Sequence, residues 1–295
     1  MNPGPVYLVD ASIYIFRAWF SVPDEFSTAN GEPTNAAYGF TGFLCSLLEQ
    51  VETAHIGIAF DESLTTSYRN EIYPEYKANR DPTPEDLKRQ FKWCRDIAES
   101  LGLQCFADPR FEADDLIGTL SEYWRARGHP LCVVTADKDL AQLVRKGDHW
   151  WDFARNRKLS YTMLADKFGV RTEQMADFLA LTGDAVDNIP GVPGVGAKSA
   201  AALLHHFKDI EAIRQGIDEV PHLSIRGAKS LHRKLEENWD AAELALKLTR
   251  IHTQVPSALK QPSVVRGAID EARLNRLFDD LSFGGMLRQR CLQTG

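Results

Sequence analysis

Paired cysteines, long apolar runs and an excess of positive charge are all missing from this sequence, and each absence closes off a class of protein. The five cysteines, Cys45, Cys94, Cys105, Cys132 and Cys291, are odd in number, scattered and never in a CxxC spacing. They indicate neither a disulfide framework nor a zinc site, and a reducing cytoplasm is the expected location. No segment approaches the roughly 18 apolar residues that a membrane span requires. The N-terminus runs from MNPGP straight into VYLV with no targeting pattern, so no membrane partner is expected. Internal repeats and low-complexity tracts are absent as well. Basic residues number 34 against 41 acidic ones, a formal charge of −7. That balance argues against a nucleic-acid partner if charge is spread evenly, because Lys and Arg neutralise phosphate. Net charge averages over regions, however, and acids gathered as metal ligands leave the rest of the surface free to be positive.

What is present is enough for a large core: 295 residues, 44% hydrophobic and 10% aromatic, which suits one large domain or two smaller ones. Short apolar, β-branched runs recur at 6–9 (VYLV), 55–60 (HIGIAF), 103–106 (LQCF), 131–135 (LCVVT) and 149–153 (HWWDF). Helical patterns fall between them at about 12–20, 35–53, 84–101, 113–127 and 138–145. The alternation predicts a mostly parallel sheet flanked by helices, an α/β fold, over residues 1–170. After about residue 160 strand-like runs stop, and 171–295 is expected to be a helical module. The stretch 21–35 reads as a loop. The connection from Ser63 to Pro84 is long for a strand-to-helix link, which marks a functional or mobile element.

In open parallel sheets the working crevice lies beyond the carboxyl ends of the strands. Asp10 follows the first run and Asp61 the second; Glu112, Asp114 and Asp115 open the helix after the third; Asp137 and Asp139 follow the fourth. At one edge of one sheet these carboxylates converge from four strands. Two unit charges a few ångströms apart repel by roughly 3 to 4 kcal/mol at an effective dielectric near 20, and several such pairs rival a fold's whole stability of about 5 to 15 kcal/mol. The cluster therefore calls for protonation or for divalent cations, and an all-oxygen donor set favours Mg²⁺ or Mn²⁺ over zinc. Taken singly, Glu112 and Asp114 are equally explained as first-turn acids facing a helix dipole. Capping does not explain why Asp10, Asp61 and Asp137 all sit directly beyond apolar runs. Asp184 and Asp187 are spaced i, i+3, which fits either a pair facing the cluster or the end of a helix beside Pro190.

The segment 63–95 mixes Arg69, Lys77, Arg80, Lys88, Arg89, Lys92 and Arg95 with Tyr68, Tyr73, Tyr76, Phe91 and Trp93, a combination suited to a phosphate backbone and stacked bases. On the helix from about 84, Leu87, Phe91, Ala98 and Leu101 form the apolar face, and the basic face opposite fits an ordinary solvated surface equally well. Residues 190–207, PGVPGVGAKSAAALLHHF, place Gly191, Gly194 and Gly196 at a turn before an alanine-rich helix, with Lys198 in its first turn. Free backbone N–H groups there suit a phosphate, and the segment reads as a helix-hairpin-helix over about 181–207.

The blocks YLVDASIYIFRAWF, AFDESLTTSYRNEIYPEYKANRDPTPEDL, FEADDLIGTL, VVTADKDLAQLV and LTGDAVDNIPGVPGVGAKSAAALL span nearly the whole chain. Together they resemble the 5′ nuclease (flap endonuclease) superfamily, specifically the 5′ to 3′ exonuclease domain of bacterial DNA polymerase I and its free-standing relatives. The resemblance implies a PIN-like core with a helical arch at about 63–95 and a helix-three-turn-helix module that can hold K⁺ through loop carbonyls. It implies a first metal group of Asp10, Asp61, Glu112, Asp114 and Asp115 and a second of Asp137, Asp139, Asp184 and Asp187, which assigns the pair that spacing left open. It further implies that Lys77 and Arg80 contact the scissile phosphate, and that Arg17, Arg69 and Tyr76 meet DNA. The expected activity is Mg²⁺-dependent cleavage near 5′ ends of DNA carrying a flap, overhang or nick, with RNA:DNA hybrids a further substrate class. Because the chain ends at Gly295, a free-standing, monomeric enzyme of replication or repair is expected. Two other readings compete: a PIN-type ribonuclease, disfavoured by the helix-hairpin-helix, and a non-catalytic junction binder, disfavoured by the complete acidic set.

Overall fold

The computed structural model describes residues 3–23, 25–62 and 67–295; the start of the expected arch, residues 63–66, lies outside them. Six short strands form the sheet: β1 (Val6–Asp10), β2 (Ile56–Ala59), β3 (Gln104–Phe106), β4 (Leu131–Val134), β5 (His149–Asp152) and β6 (Arg157–Ser160). Their order is β3-β2-β1-β4-β5-β6, parallel throughout except for β6, which runs antiparallel to β5. β1 is central and wholly buried. Its alternating side chains separate two cores as the two-residue strand period requires. Tyr7 and Val9, with Ile56, Ile58, Cys132 and Val134, pack under the helices Ala11–Ser21, Asn35–Gln50 and Glu85–Ser100. Val6 and Leu8, with Leu131 and Val133, pack under the helix Ala113–Arg125.

The five expected strands and the mostly parallel sheet are present. One local expectation needs correction, and one strand was not foreseen. The segment 138–145 is not an α-helix but a 3₁₀ helix, Asp139–Leu143. Thr135 Oγ1 accepts the Asp137 N–H at 2.9 Å and Asp137 Oδ1 accepts the Asp139 N–H at 2.9 Å. These side chains divert the backbone into tight turns at its start. β6 escaped notice because only Leu159 faces inward from it, leaving no apolar run to read.

From Tyr161 the chain is helical. The helices Met175–Thr182, Ala197–His206, Ala228–Glu237 and Trp239–Thr249 share a third core with Trp150 and Leu159 from the sheet. Residues 171–295 are helical, as expected, and after Thr249 the chain turns back onto the sheet domain. Ile251, Val255 and Val264 complete the core under Ala113–Arg125. Ile56 N–H donates to Val264 O at 2.8 Å and Arg266 N–H to Ala54 O at 2.7 Å. Leu274, Phe278, Leu287 and Cys291, on the last two helices, Glu271–Asp280 and Gly285–Leu292, pack into the first core. Periodicity identifies an amphipathic helix but not which apolar surface it will cover.

Candidate metal centre

Strand order reverses at β1, whose neighbours are β2 and β4, so the crevice of this sheet opens at their carboxyl ends. Asp10 is the last residue of β1 and only 6% exposed; Thr135, just past β4, donates its hydroxyl to Asp10 Oδ2 at 2.9 Å. Asp61, past β2, accepts the Ser12 hydroxyl at 2.6 Å and the Ala113 N–H at 2.8 Å. Glu112 caps the helix Ala113–Arg125 and Asp114 sits in its first turn.

Asp184 and Asp187 come from the second helical region. Gly183 is left-handed at φ +74°, and its backbone lies so close to that of Gly191 that a Cβ on Gly191 would stand 2.2 Å from Gly183 N. Only glycine permits that approach. The contact closes a loop in which Asp184 and Ile189 exchange backbone hydrogen bonds of 3.0 and 2.8 Å. The loop turns Asp187 toward Tyr76, Lys77 and Arg80. A small cavity bordered by Glu112, Asp114, Asp139 and Asp187 unites acids from both expected groups.

Three cations that the sequence left unpaired or unnoticed now sit among these acids. Lys77 Nζ lies 2.7 Å from Glu112 Oε1 and 3.9 Å from Asp187 Oδ2. Arg80 pairs with Asp187. Lys138, between Asp137 and Asp139 in the sequence, pairs with Asp184 and stands 3.4 Å from Asp139. As these side chains are placed, no three acidic, histidine or cysteine groups among the described residues are arranged to hold an ion; the lysines and arginines supply the compensating charge. It is incomplete. Burial first, then Asp61 and Asp137, pushes Asp10 up to about 7. Burial and Asp137 do the same to Asp139, also to about 7. Asp114 is driven well up by burial and by Asp137 and Asp10, and burial is the leading cause of the rise at Asp137. Asp139 Oδ1 is buried and accepts no hydrogen bond, with Lys138 Nζ 3.4 Å away. An all-oxygen set with too much negative charge and a buried carboxylate oxygen that accepts no hydrogen bond fits hard divalent cations. Burial also opposes the charge on Glu112, but Lys77 and Arg69 outweigh it and hold that carboxyl down to about 2. Burial disfavours the Lys77 cation, yet Glu112 leads the charges that hold it well above the ordinary lysine value.

These shifts have opposite signs for stability. A carboxyl raised to about 7 keeps its proton in the folded state where the unfolded chain has lost it. Stability therefore falls as pH climbs from about 4 to about 7. Glu112 contributes in the other sense: its stabilisation is present above its ordinary value of 4.5 and is lost as pH falls toward about 2. Without divalent ions the protein is expected to unfold at a lower temperature at pH 8 than at pH 5, and saturating Mg²⁺ should raise the midpoint more at pH 8. Thermal unfolding in EDTA and in MgCl₂ at both values checks this; an equal Mg²⁺ effect at the two would contradict it.

Three expected site residues are placed differently. Asp115 is fully buried, and each carboxylate oxygen already accepts two hydrogen bonds. Oδ1 takes Arg69 Nη2 and the His252 N–H, both at 2.8 Å. Oδ2 takes Arg69 Nη1 at 2.8 Å and the Glu112 N–H at 3.1 Å. With four acceptor positions filled, Asp115 orients its neighbours and has its oxygens engaged within the protein. Arg69, expected on DNA, is 3% exposed and also donates to Leu248 O at 2.8 Å and Glu112 at 2.9 Å. Tyr76, likewise expected on DNA, is buried, its hydroxyl placed between Glu112 at 3.0 Å and Asp187 at 3.3 Å.

The remaining basic and glycine positions are accessible. Lys77 and Arg80 line a cleft of about 640 Å³ with Asp61 and Glu112. Lys77 is held at φ +58° with its N–H donated to Asp187 O at 2.9 Å. Arg17 is exposed on the first helix but borders a separate surface pocket with Phe43 and Phe153. Gly194 (φ +75°) and Gly196 are exposed at the turn before Ala197–His206 and Lys198 in the first turn of that helix, while Gly191 is half-buried; Lys234 Nζ donates to Gly194 O at 3.0 Å. Beyond Lys138, the sequence reading also missed Ser12 and Thr135, which orient Asp61 and Asp10. Their signal was only their place beside the strand ends.

Comparisons with known proteins agree over most of the chain. Residues 5–169 match the family described as 5′-3′ exonuclease, N-terminal resolvase-like domain, and residues 170–272 match 5′-3′ exonuclease, C-terminal SAM fold. The sequence is 39% identical over 288 residues to DNA polymerase I of Pseudomonas aeruginosa, covering 97% of this chain and 31% of that protein. The chain thus spans less than a third of the length of the first polymerase relatives it matches. It is 33% identical over 263 residues to the 5′-3′ exonuclease of Buchnera aphidicola subsp. Acyrthosiphon pisum, covering 89% of this chain and 91% of that one. In fold it is similar to T5 5′-exonuclease, solved with divalent metal ions (zinc) bound, with a TM-score of 0.69 at 21% identity over 95% of this chain and 100% of that one. It is similar as well to the catalytic core of Rad2 in complex with DNA substrate, with a TM-score of 0.61 at 17% identity over 99% of this chain and 92% of that one.

Proposed function

The chain belongs to the 5′-3′ exonuclease family, and from that membership we propose that it hydrolyses phosphodiester bonds near 5′ ends of flapped, overhanging or nicked DNA with the help of Mg²⁺ or Mn²⁺. The observation that carries the reading is the meeting of Asp10, Asp61, Glu112, Asp114, Asp137, Asp139, Asp184 and Asp187 with Lys77, Arg80 and Lys138 at the carboxyl edge of the sheet. No helix among the described residues is long and apolar enough to cross a membrane.

Asp10, Glu112 and Asp114, with Asp61 close by, would hold one cation, and Asp137, Asp139, Asp184 and Asp187 a second. When bound, such ions supply Lewis-acid stabilisation of the phosphoryl oxygens and of the attacking and leaving groups. The protein's own part is positioning and charge. Lys77, whose ammonium form Glu112 favours, would stabilise phosphoryl charge. Arg80, more exposed on the same cleft, binds the phosphate as it enters. Asp115 and Arg69 fix the Glu112 end of the site from beneath. The exposed turn with Gly194, Gly196 and Lys198 would grip duplex backbone, with K⁺ on its carbonyls. The hydrolysis leaves a 5′ phosphate and suits flap and primer removal in replication or repair by a monomer, RNA:DNA hybrids included.

Product mapping on matched flap, nicked, blunt and RNA-primed substrates labelled at the 5′ end, with and without Mg²⁺, tests the reading. Cleavage near the 5′ end that needs Mg²⁺ is expected. Binding without cleavage would favour a junction-binding module, and cleavage confined to single-stranded RNA a ribonuclease.

A further inference from the structure

Phe20 is 81% exposed, and among the described residues it is the one phenylalanine, tyrosine or tryptophan whose side chain lies open on the surface. Leaving a phenyl ring in water forgoes roughly 2 kcal/mol of burial. Single exposed apolar side chains are ordinary on a protein surface, and it is the place of this ring that sets it apart. Phe20 lies in the last turn of the helix Ala11–Ser21 and borders the same cleft as Asp61, Lys77, Arg80 and Glu112. Phe16, one turn earlier, is already engaged edge-on with Phe91 at 5.5 Å between ring centres.

The helix end that carries Phe20 is held in place. Asn35 Nδ2 donates to Trp19 O at 3.0 Å and to Val22 O at 3.3 Å. Asn35 Oδ1 accepts from Gln90 Nε2 at 3.1 Å, and Gln90 Oε1 accepts the Ala37 N–H at 3.0 Å. Asn35 and Gln90 are both buried, and together they tie three helices at the base of the exposed turn. An aromatic ring on an anchored helix end, beside cations that attract phosphate, offers both groups a nucleotide needs: charge for the backbone and a π-face for the base.

Resting on the nuclease reading above, we propose that Phe20 is a stacking platform for a nucleobase flanking the scissile phosphate, and so sets how far the strand advances into the cleft. The occupant is a base of the substrate strand, because the same cleft holds the groups that take its phosphate.

The test pairs removal of the ring with removal of the base. Wild type, Phe20→Ala and Phe20→Trp are compared in Mg²⁺ on a flap substrate that is intact or carries one abasic residue on either side of the cut. Phe20→Ala is expected to lower kcat/KM on the intact substrate about 5- to 50-fold, with Phe20→Trp restoring it. Loss of the stacked base should cost the wild type as much and cost Phe20→Ala nothing further, a coupling that a purely structural residue would not show. Phe20→Ala within about two-fold of wild type, or penalties that simply multiply at both abasic positions, would overturn the proposal. Wild type that cuts none of these substrates would overturn the nuclease reading and this inference together. Wild type that cuts beside an indifferent Phe20→Ala overturns this inference alone. The unfolding midpoint of Phe20→Ala should match wild type, since so exposed a ring contributes little to the core.

Discussion

Asp137→Asn is expected to cut turnover on a 5′-labelled flap in Mg²⁺ by at least about a hundred- to a thousand-fold, with DNA affinity unchanged or higher and the fold no less stable. The substitution is nearly isosteric. Asn keeps the Oδ1 that accepts the Asp139 N–H, and so keeps the turn after β4. What it removes is one negative charge from a place where Asp137 helps push Asp10, Asp114 and Asp139 upward. Relief of that repulsion favours the metal-free fold and weakens the repulsion of phosphate, while the cation loses a charged ligand. Activity and stability should therefore move in opposite directions. Single-turnover cleavage and fluorescence-anisotropy binding in parallel measure both, and turnover within ten-fold of wild type would remove Asp137 from the catalytic set.

Arg69→Ala should destabilise the protein by about 3 to 5 kcal/mol, a large part of a typical total of about 5 to 15 kcal/mol. The guanidinium makes a two-pronged contact with Asp115 and a further bond to Glu112, and its Nε satisfies Leu248 O, all away from solvent. Truncation strands one fully buried carboxylate, one largely buried one and a carbonyl. Arg69→Lys should rescue only part of the loss, since an ammonium cannot reproduce the planar fork. Arg69→Ala with Asp115→Asn should cost less than the sum of the two single changes, because the stranded charge is gone. Urea unfolding measures all three. A loss below about 1 kcal/mol for Arg69→Ala would mean that this arginine belongs to the substrate-facing surface, as its sequence neighbourhood suggested.

That neighbourhood shows where sequence reasoning works and where it stops. Asp10, Asp61 and Asp137 were legible because a parallel strand delivers the residue after its last apolar position to the sheet edge, whatever the rest of the chain does. Asp115 was not, because adjacent helical residues point about 100° apart. Asp114 faces the cluster while Asp115 turns to the interior, a difference that depends on what packs behind the helix. Arg69 and Tyr76 lie among basic and aromatic residues that read as a solvated, DNA-facing segment, and only the meeting of that segment with Asp115 and Leu248 internalises them. The glycine-rich turn was visible at Gly191, Gly194 and Gly196. Its tightest contact, Gly183 against Gly191, joins residues on either side of a loop and has no local signature. The return of Ile251 to Cys291 onto the two faces of the sheet was illegible for the same reason: amphipathicity reports that a helix must be covered, not by what.

Crystals soaked in Mn²⁺ and measured for anomalous scattering test the central claim most directly, since they read the ions and not their consequences. The account predicts strong peaks between Asp10, Glu112 and Asp114 and between Asp137, Asp139, Asp184 and Asp187, with Lys77 and Lys138 moved off the carboxylates they now touch. Manganese found only elsewhere, in crystals whose dissolved protein still cleaves flaps, would contradict it.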